Sequence, residues 1–244
     1  MLGDVHGPGA PLRTTADALA RAERAGRVIL VEGISDRIAL ETLAGIEGVD
    51  LSGTVILPAG GAQAIGPHLA RFGPRGTGTL VGGLCDAAEA GFFLIGLRRA
   101  GFDTVPPEGA LARHGFRICE CDLEDELLRA LGPGPAEEVI AAEGEGVALA
   151  TLAAQGSWHD APRHERLRRF LSGRAGRKAR YARVFTEAIP RGRHPAPLRA
   201  VLGLVPAGSR AGPGPGNGVF PDPEGSARHG ALPATDVATP GQPR

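Results

Sequence analysis

Three short apolar runs in this chain of 244 residues end in carboxylates. Arg27–Val31 is followed by Glu32 and Gly33, with Asp36 four residues after Glu32. A second stretch ends in Gly83-Leu84-Cys85-Asp86, with Glu89 three residues on, and a third, Phe116–Cys119, opens into Glu120-Cys121-Asp122-Leu123-Glu124-Asp125. Carboxylates gathered in one place repel one another, and a fold that gathers them does so around hard cations such as Mg²⁺ or Mn²⁺, bound through oxygen. The reaction such a site suits is in-line attack on a phosphodiester: paired cations generate hydroxide and stabilise the departing oxygen. The plainer alternative is that acids in the first turn of a helix complement its dipole, which alone accounts for Asp36, Glu89 and Asp125. It accounts poorly for Glu32, which ends an apolar strand directly before a glycine and could also act as general base or acid.

The elements that must position these acids follow from the pattern. Arg27–Val31, Thr54–Leu57, Gly78–Gly82 and Phe116–Cys119 read as short buried strands. They alternate with helical stretches over SDRIALETLAG, GGAQAIGPHLARFG, DAAEAGFFLIGLRRAG and DLEDELLRALG. The order βαβαβαβα predicts a mainly parallel sheet with helices on both faces. In such a sheet ligands collect at the carboxyl ends of the strands, where three of the four ends are acidic. The second ends in Pro58-Ala59-Gly60-Gly61, read as a turn, with a phosphate-cradling loop as the alternative.

After Gly132 the pattern is helical throughout. The boundaries expected are a loose N-terminus with a lead-in helix over 1–25, an α/β core over 26–132, a helical extension over 133–205 and a disordered Gly/Pro-rich tail over 206–244. Gly 38 and Pro 21 together make about a quarter of the chain, and much of that excess lies at its ends.

Equal numbers of acids and bases, 27 each, conceal a segregation. Residues 1–162 carry a net charge of −10 and residues 163–193 a net charge of +9. An acidic body with a concentrated basic segment suits a protein that gathers cations and holds a polyanion; a solvated basic helix is the alternative. Of the 27 basic side chains, Lys178 is the only lysine. Its compact ammonium differs chemically from a guanidinium, so it marks a place where Arg does not substitute. On a helix from about Gly176, Lys178 would face the cations while Arg174, Arg177, Arg180 and Arg169 meet phosphates.

Other function classes are disfavoured. Three unevenly spaced cysteines, Cys85, Cys119 and Cys121, make neither a disulfide framework nor a zinc site and are read as core. His68, His114, His159 and His164 lack ligand spacing and are assigned no metal. No apolar stretch approaches the ~18 residues of a membrane span and the N-terminus lacks signal-peptide order, so no membrane association and a cytoplasmic location are expected. Tyr181, the only tyrosine, is read as packing rather than as a covalent nucleophile, and Trp158 as a loop residue.

The segments VEGISDRIAL, LPAGGAQAIGPHLA, GLCDAAEAGFFLIGL, ECDLEDELLRALG and LRRFLSGRAGRKARYARVFTEAI, in this order, resemble the Toprim domain of the OLD-family nucleases, over roughly Arg27 to Leu204. The resemblance implies a Toprim (Rossmann-like) α/β fold in a standalone form without the ABC ATPase domain of larger OLD proteins. It implies that Glu32 and Asp36 bind metal, that Asp86 is the first acid of an Asp-x-Asp pair, that Glu124 is a later metal ligand, and that Lys178 assists cleavage. Ala88 stands where the second Asp is expected, so Glu89 is the candidate replacement. The implied cofactors are Mg²⁺ or Mn²⁺, two ions, and the implied partner is DNA. The only lysine lies in GRKAR, so no Walker A motif is present, and an ABC-type ATPase would have to be a separately encoded partner. The expected activity is DNA hydrolysis or nicking by two metals. The alternatives are a non-catalytic binding module, motivated by Ala88, and a ribonuclease, with primase-like nucleotidyl transfer weaker for want of a zinc-binding set.

Overall fold

The computed structural model describes residues 17–174 and 176–206. Four strands, β1 (Arg27–Val31), β2 (Thr54–Pro58), β3 (Leu80–Asp86) and β4 (Phe116–Cys119), form one sheet in the order β2-β1-β3-β4. Every pairing is parallel, so the sheet is wholly parallel rather than mainly so. Residues 17–22 form the described part of a lead-in helix, α1. The expected loose start before it, and all of the expected tail except Pro206, lie outside the described residues.

Both faces of the sheet are covered, and the strands alternate between two cores. Val28 and Leu30 pack on one side with Leu69 and Phe72 of α3 (Ile65–Phe72) and Phe93 and Leu97 of α4 (Ala90–Ala100). Ile29 and Val31 face the other side, against Leu40 and Leu43 of α2 (Ile34–Glu47). That second core continues through α6 (Leu123–Leu131), α7 (Pro133–Ala142), α9 (Arg163–Ser172), α10 (Arg177–Ala188) and α11 (Ala196–Leu202). Phe170, Tyr181 and Phe185 are fully buried within it. Burying each such side chain contributes about 1.5–3 kcal/mol relative to leaving it exposed. Packing of this kind, more than intrinsic propensity, holds helices as short as α3 and α11. The late helices therefore share the core of the sheet, and α10 lies directly on α2.

Two boundaries differ from the sequence reading. The stretch from Pro135 to Gln155 forms two helices, α7 and α8 (Gly146–Ala153), separated where Gly144 turns the chain at φ 78°. The third strand does not stop at Gly82 but runs to Asp86. Its glycines are there for close approach: a Cβ on Gly83 would stand 2.1 Å from the Leu30 carbonyl oxygen and 2.8 Å from the Phe116 ring. A short helix, α5 (Ala110–Arg113), also precedes β4.

Candidate metal centre and active site

The strand order places the site. From β1 the chain leaves to β2 on one side, and from β3 to β4 on the other, so the gap beyond the ends of β1 and β3 is the switch point of the sheet. Glu32 follows β1 and Asp86 closes β3. Across the gap, the Asp86 amide donates to Glu32 Oε1 at 2.9 Å. The Glu32 backbone is fixed as well: its carbonyl accepts the amides of Gly60 at 3.1 Å and Gly61 at 2.9 Å. Those glycines adopt φ of 86° and 109°, which L side chains disfavour. The Pro58–Gly61 segment is thus a turn whose amides are already spent on Glu32, not a free phosphate cradle.

The other acids gather around this pair. Asp36, in the first turn of α2, accepts the Gly33 amide at 2.8 Å and lies in the field of Glu124 and Lys178. After Asp86 the chain makes a 3-10 turn, Ala87–Glu89, that sets Glu89 beside Glu32 and leaves Ala88 exposed. Glu89 Oε2 is buried with no hydrogen-bond partner.

Burial and mutual repulsion push these carboxyls toward their protonated forms. Desolvation, then the neighbouring Glu89 carboxyl, raises Glu32 to about 8 against the Asp86 amide bond that favours its charge. Desolvation followed by the charges of Asp36, Asp122, Glu124 and Glu89 raises Asp86 to about 7. Asp36 rises to about 6, chiefly by desolvation. Cys85, buried behind the cluster, is pushed up to about 12 by desolvation and then by Glu32.

This donor set fits a hard dication. Among the described residues no three His, Cys, Asp or Glu side chains are already drawn into one coordination shell. What is present is a rack of carboxylate oxygens, one buried and partnerless and three destabilised as anions, which a dication would relieve. Glu32, Asp36, Asp86, Glu89 and Glu124 are the residues that would hold it.

Lys178 reaches the same place from α10. Its Nζ donates to Glu124 Oε2 at 2.9 Å, with half of the side chain exposed. Partial desolvation acts to lower its pKa, but Glu124, Asp122 and Asp86 outweigh this and hold the ammonium above its ordinary value. Lys178 and Glu124 open into a cavity of about 430 Å³ that Asp122 and Arg168 also line.

The basic segment divides. Arg177 is turned inward: it pairs with Glu145 at 2.9 Å, donates to the Phe170 carbonyl at 2.7 Å, and its guanidinium lies 3.8 Å over the Phe170 ring. Arg180 pairs with Glu143 at 2.5 Å. Both guanidiniums are thus engaged by acids of the α7–α8 turn. Arg169 lines the cavity and has no ion-pair partner among the described residues, and Arg174 is exposed. Tyr181 is a packing residue, buried to 1 % exposure with its hydroxyl donating to Glu145.

No family model matches this sequence, and no curated protein does. Solved structures do. The C-terminal region of the Burkholderia pseudomallei OLD protein superposes with a TM-score of 0.58 at 24% identity, covering 74% of this chain and 96% of that one. The C-terminal region of the Xanthomonas campestris pv. campestris OLD protein gives 0.59 at 25% identity, covering 73% and 93%. This chain has the Toprim fold of the OLD C-terminal region.

Within that OLD-type fold, the structure adds residues that sequence spacing did not single out. Asp122 caps α6, accepting the Asp125 amide at 2.8 Å, and Arg168 clamps its other oxygen at 2.5 Å. Asp125, buried, meets His164 Nε2 at 2.7 Å and Arg129 Nε at 2.8 Å. These contacts fix the start of α6, from which Glu124 projects. In the sequence Asp122 and Asp125 stand only as members of an acidic run, and their partners Arg168 and His164, some forty residues away, carried no signal. Cys85 and Cys119 are buried as expected, whereas Cys121 is exposed at the rim. Among the described residues no helix is long and apolar enough to cross a membrane.

Proposed function

We propose that this chain is a divalent-metal-dependent nuclease that hydrolyses or nicks DNA using Mg²⁺ or Mn²⁺. One observation carries the reading: acids from three strand ends converge at the switch point of an OLD-type Toprim fold, and the chain's only lysine joins them from a helix far along the sequence. When bound, the metals would supply a hydroxide nucleophile and charge for the departing oxygen. The protein's part is to hold and orient. Glu32, anchored at its carbonyl and its carboxylate, fixes the centre; Asp36, Asp86, Glu89 and Glu124 complete the donor set. Lys178 sets a positive charge beside the acids, where negative charge would build on the phosphate. Arg169 is available to a backbone phosphate.

The test is incubation of supercoiled plasmid with purified protein in Mn²⁺ or Mg²⁺, beside Glu32→Gln and Lys178→Ala. Nicking by the native protein alone supports the proposal. Equal activity in all three proteins, or none with either metal, overturns it. Ala88 motivates a second reading, a module that binds nucleic acid without cutting, and binding without cleavage in the same assay would favour it. RNA offered in parallel tests the ribonuclease alternative.

A further inference from the structure

The cavity beside Lys178 has a wall that the metal chemistry does not use. Trp158, the chain's only tryptophan, lines it and is its one apolar side chain. The indole belongs to neither core and is only half-buried, unlike Phe170, Tyr181 and Phe185. The backbone that carries it is nonetheless fixed. The Trp158 and His159 amides donate to the Gln155 carbonyl at 2.8 and 2.9 Å, and Arg166 donates to the His159 carbonyl at 3.1 Å. Around it the charges are mostly settled: Arg168 neutralises Asp122 and Lys178 neutralises Glu124. Arg169 is left facing the cavity as an unpaired cation among the described residues, with Glu165 and Ser172 as further polar groups.

We propose that this cavity is a subsite for one unpaired nucleotide of the DNA substrate, its base stacked on Trp158 and its phosphate directed to Arg169 and Lys178. The inference rests on the nuclease reading and narrows its substrate class. About 430 Å³ is the size of a small-molecule site and suits one nucleotide, not a base pair. The face of a base in a duplex is covered by its neighbours, so an indole lining this cavity can stack only on a base at a strand end, in a loop, or taken out of the helix. Stacking accepts any base, so the preference is for strandedness over sequence. The enzyme accordingly acts best on single-stranded or frayed DNA.

Because Trp158 is the sole tryptophan, its fluorescence reads the subsite directly. The native protein is titrated, in chelator without divalent metal so that nothing is cut, with a mixed-sequence 12-nucleotide single strand and with a blunt hairpin duplex of the same composition. Saturable quenching by the single strand, at least tenfold tighter than by the hairpin, is expected. In cleavage assays with Mn²⁺, Trp158→Ala raises KM for single-stranded circular DNA about tenfold with little change in kcat, and Trp158→Phe recovers most of that loss. Circular dichroism confirms that both variants fold, and if Trp158→Ala does not, the Phe variant and the titration decide. Absent quenching, or equal quenching by the hairpin, overturns the subsite even if the plasmid is nicked. Quenching with no cleavage under any metal instead leaves the subsite standing and removes the nuclease reading.

Discussion

Lys178 Nζ donates to Glu124 Oε2 at 2.9 Å, joining α10 to the first turn of α6 across 54 residues of sequence. The pair is half-open to solvent on the lysine side, so its contribution to stability is small, on the order of 1 kcal/mol or less. Under the proposed nuclease reading its contribution to cleavage is large. Lys178→Ala is expected to lower cleavage at least a hundredfold while shifting the melting temperature by no more than a few degrees. Lys178→Arg is expected to recover little, because a planar guanidinium cannot reproduce a compact ammonium. Rates and melts of the two variants, measured side by side, check this.

The metal-free protein is expected to lose stability as pH rises from about 5 to 8. Asp36, Asp86 and Glu32, raised to about 6, 7 and 8, keep protons in the folded state that they release when unfolded. Their stabilising protonation is complete below the ordinary carboxylate range and is lost as pH passes upward through those values. His68, lowered by desolvation, works in the opposite direction over part of the window. Glu32→Gln separates the two, since it removes one carboxyl and flattens the slope. Melting curves in chelator at several pH values, repeated with Mn²⁺, provide the measurement, and the Mn²⁺ stabilisation should be greatest at the alkaline end. A melting temperature that climbs through this range in chelator would contradict the assignment.

Glu89, not position 88, faces Glu32. Glu89→Gln is therefore expected to weaken Mn²⁺ binding tenfold or more in calorimetric titration. Ala88→Asp, which adds a carboxylate to an exposed position of the 3-10 turn, is expected to change the affinity little. A strong gain from Ala88→Asp would show that the turn rearranges around the ion.

Two arginines eight positions apart should separate stability from binding. Arg177 is one-tenth exposed, paired with Glu145 and stacked on Phe170, so Arg177→Ala leaves a partly buried carboxylate without its partner and should cost about 2–4 kcal/mol in urea unfolding. Arg169→Ala should leave unfolding unchanged, weaken DNA binding, and reduce the slope of log affinity against log salt by about one.

Much of the fold was legible because apolar runs of four or five residues between helical stretches leave few alternatives to a parallel sheet. Glu32 was legible for the same reason, as an acid ending an apolar run before a glycine. Gly82 and Gly83 misled the reading of β3, since glycine marks a turn in sequence but here admits the Leu30 backbone and the Phe116 ring. The fate of Arg177 and Arg180 was hidden because net charge does not distinguish a cation facing solvent from one paired with an acid of another helix. Whether residue 88 or 89 serves the site depends on a single 3-10 turn, which no spacing rule specifies.

The docking of α10 on α2 orders events in time as well as in space. As the chain emerges from the ribosome, the acids of the first 124 residues are complete long before Lys178 appears, and Lys178 takes its place only when Tyr181 and Phe185 settle into the core beside Leu40 and Leu43. If the chain is the nuclease proposed above, a growing or partly folded chain would carry the carboxylate rack without its ammonium, and cleavage would wait until α10 has docked.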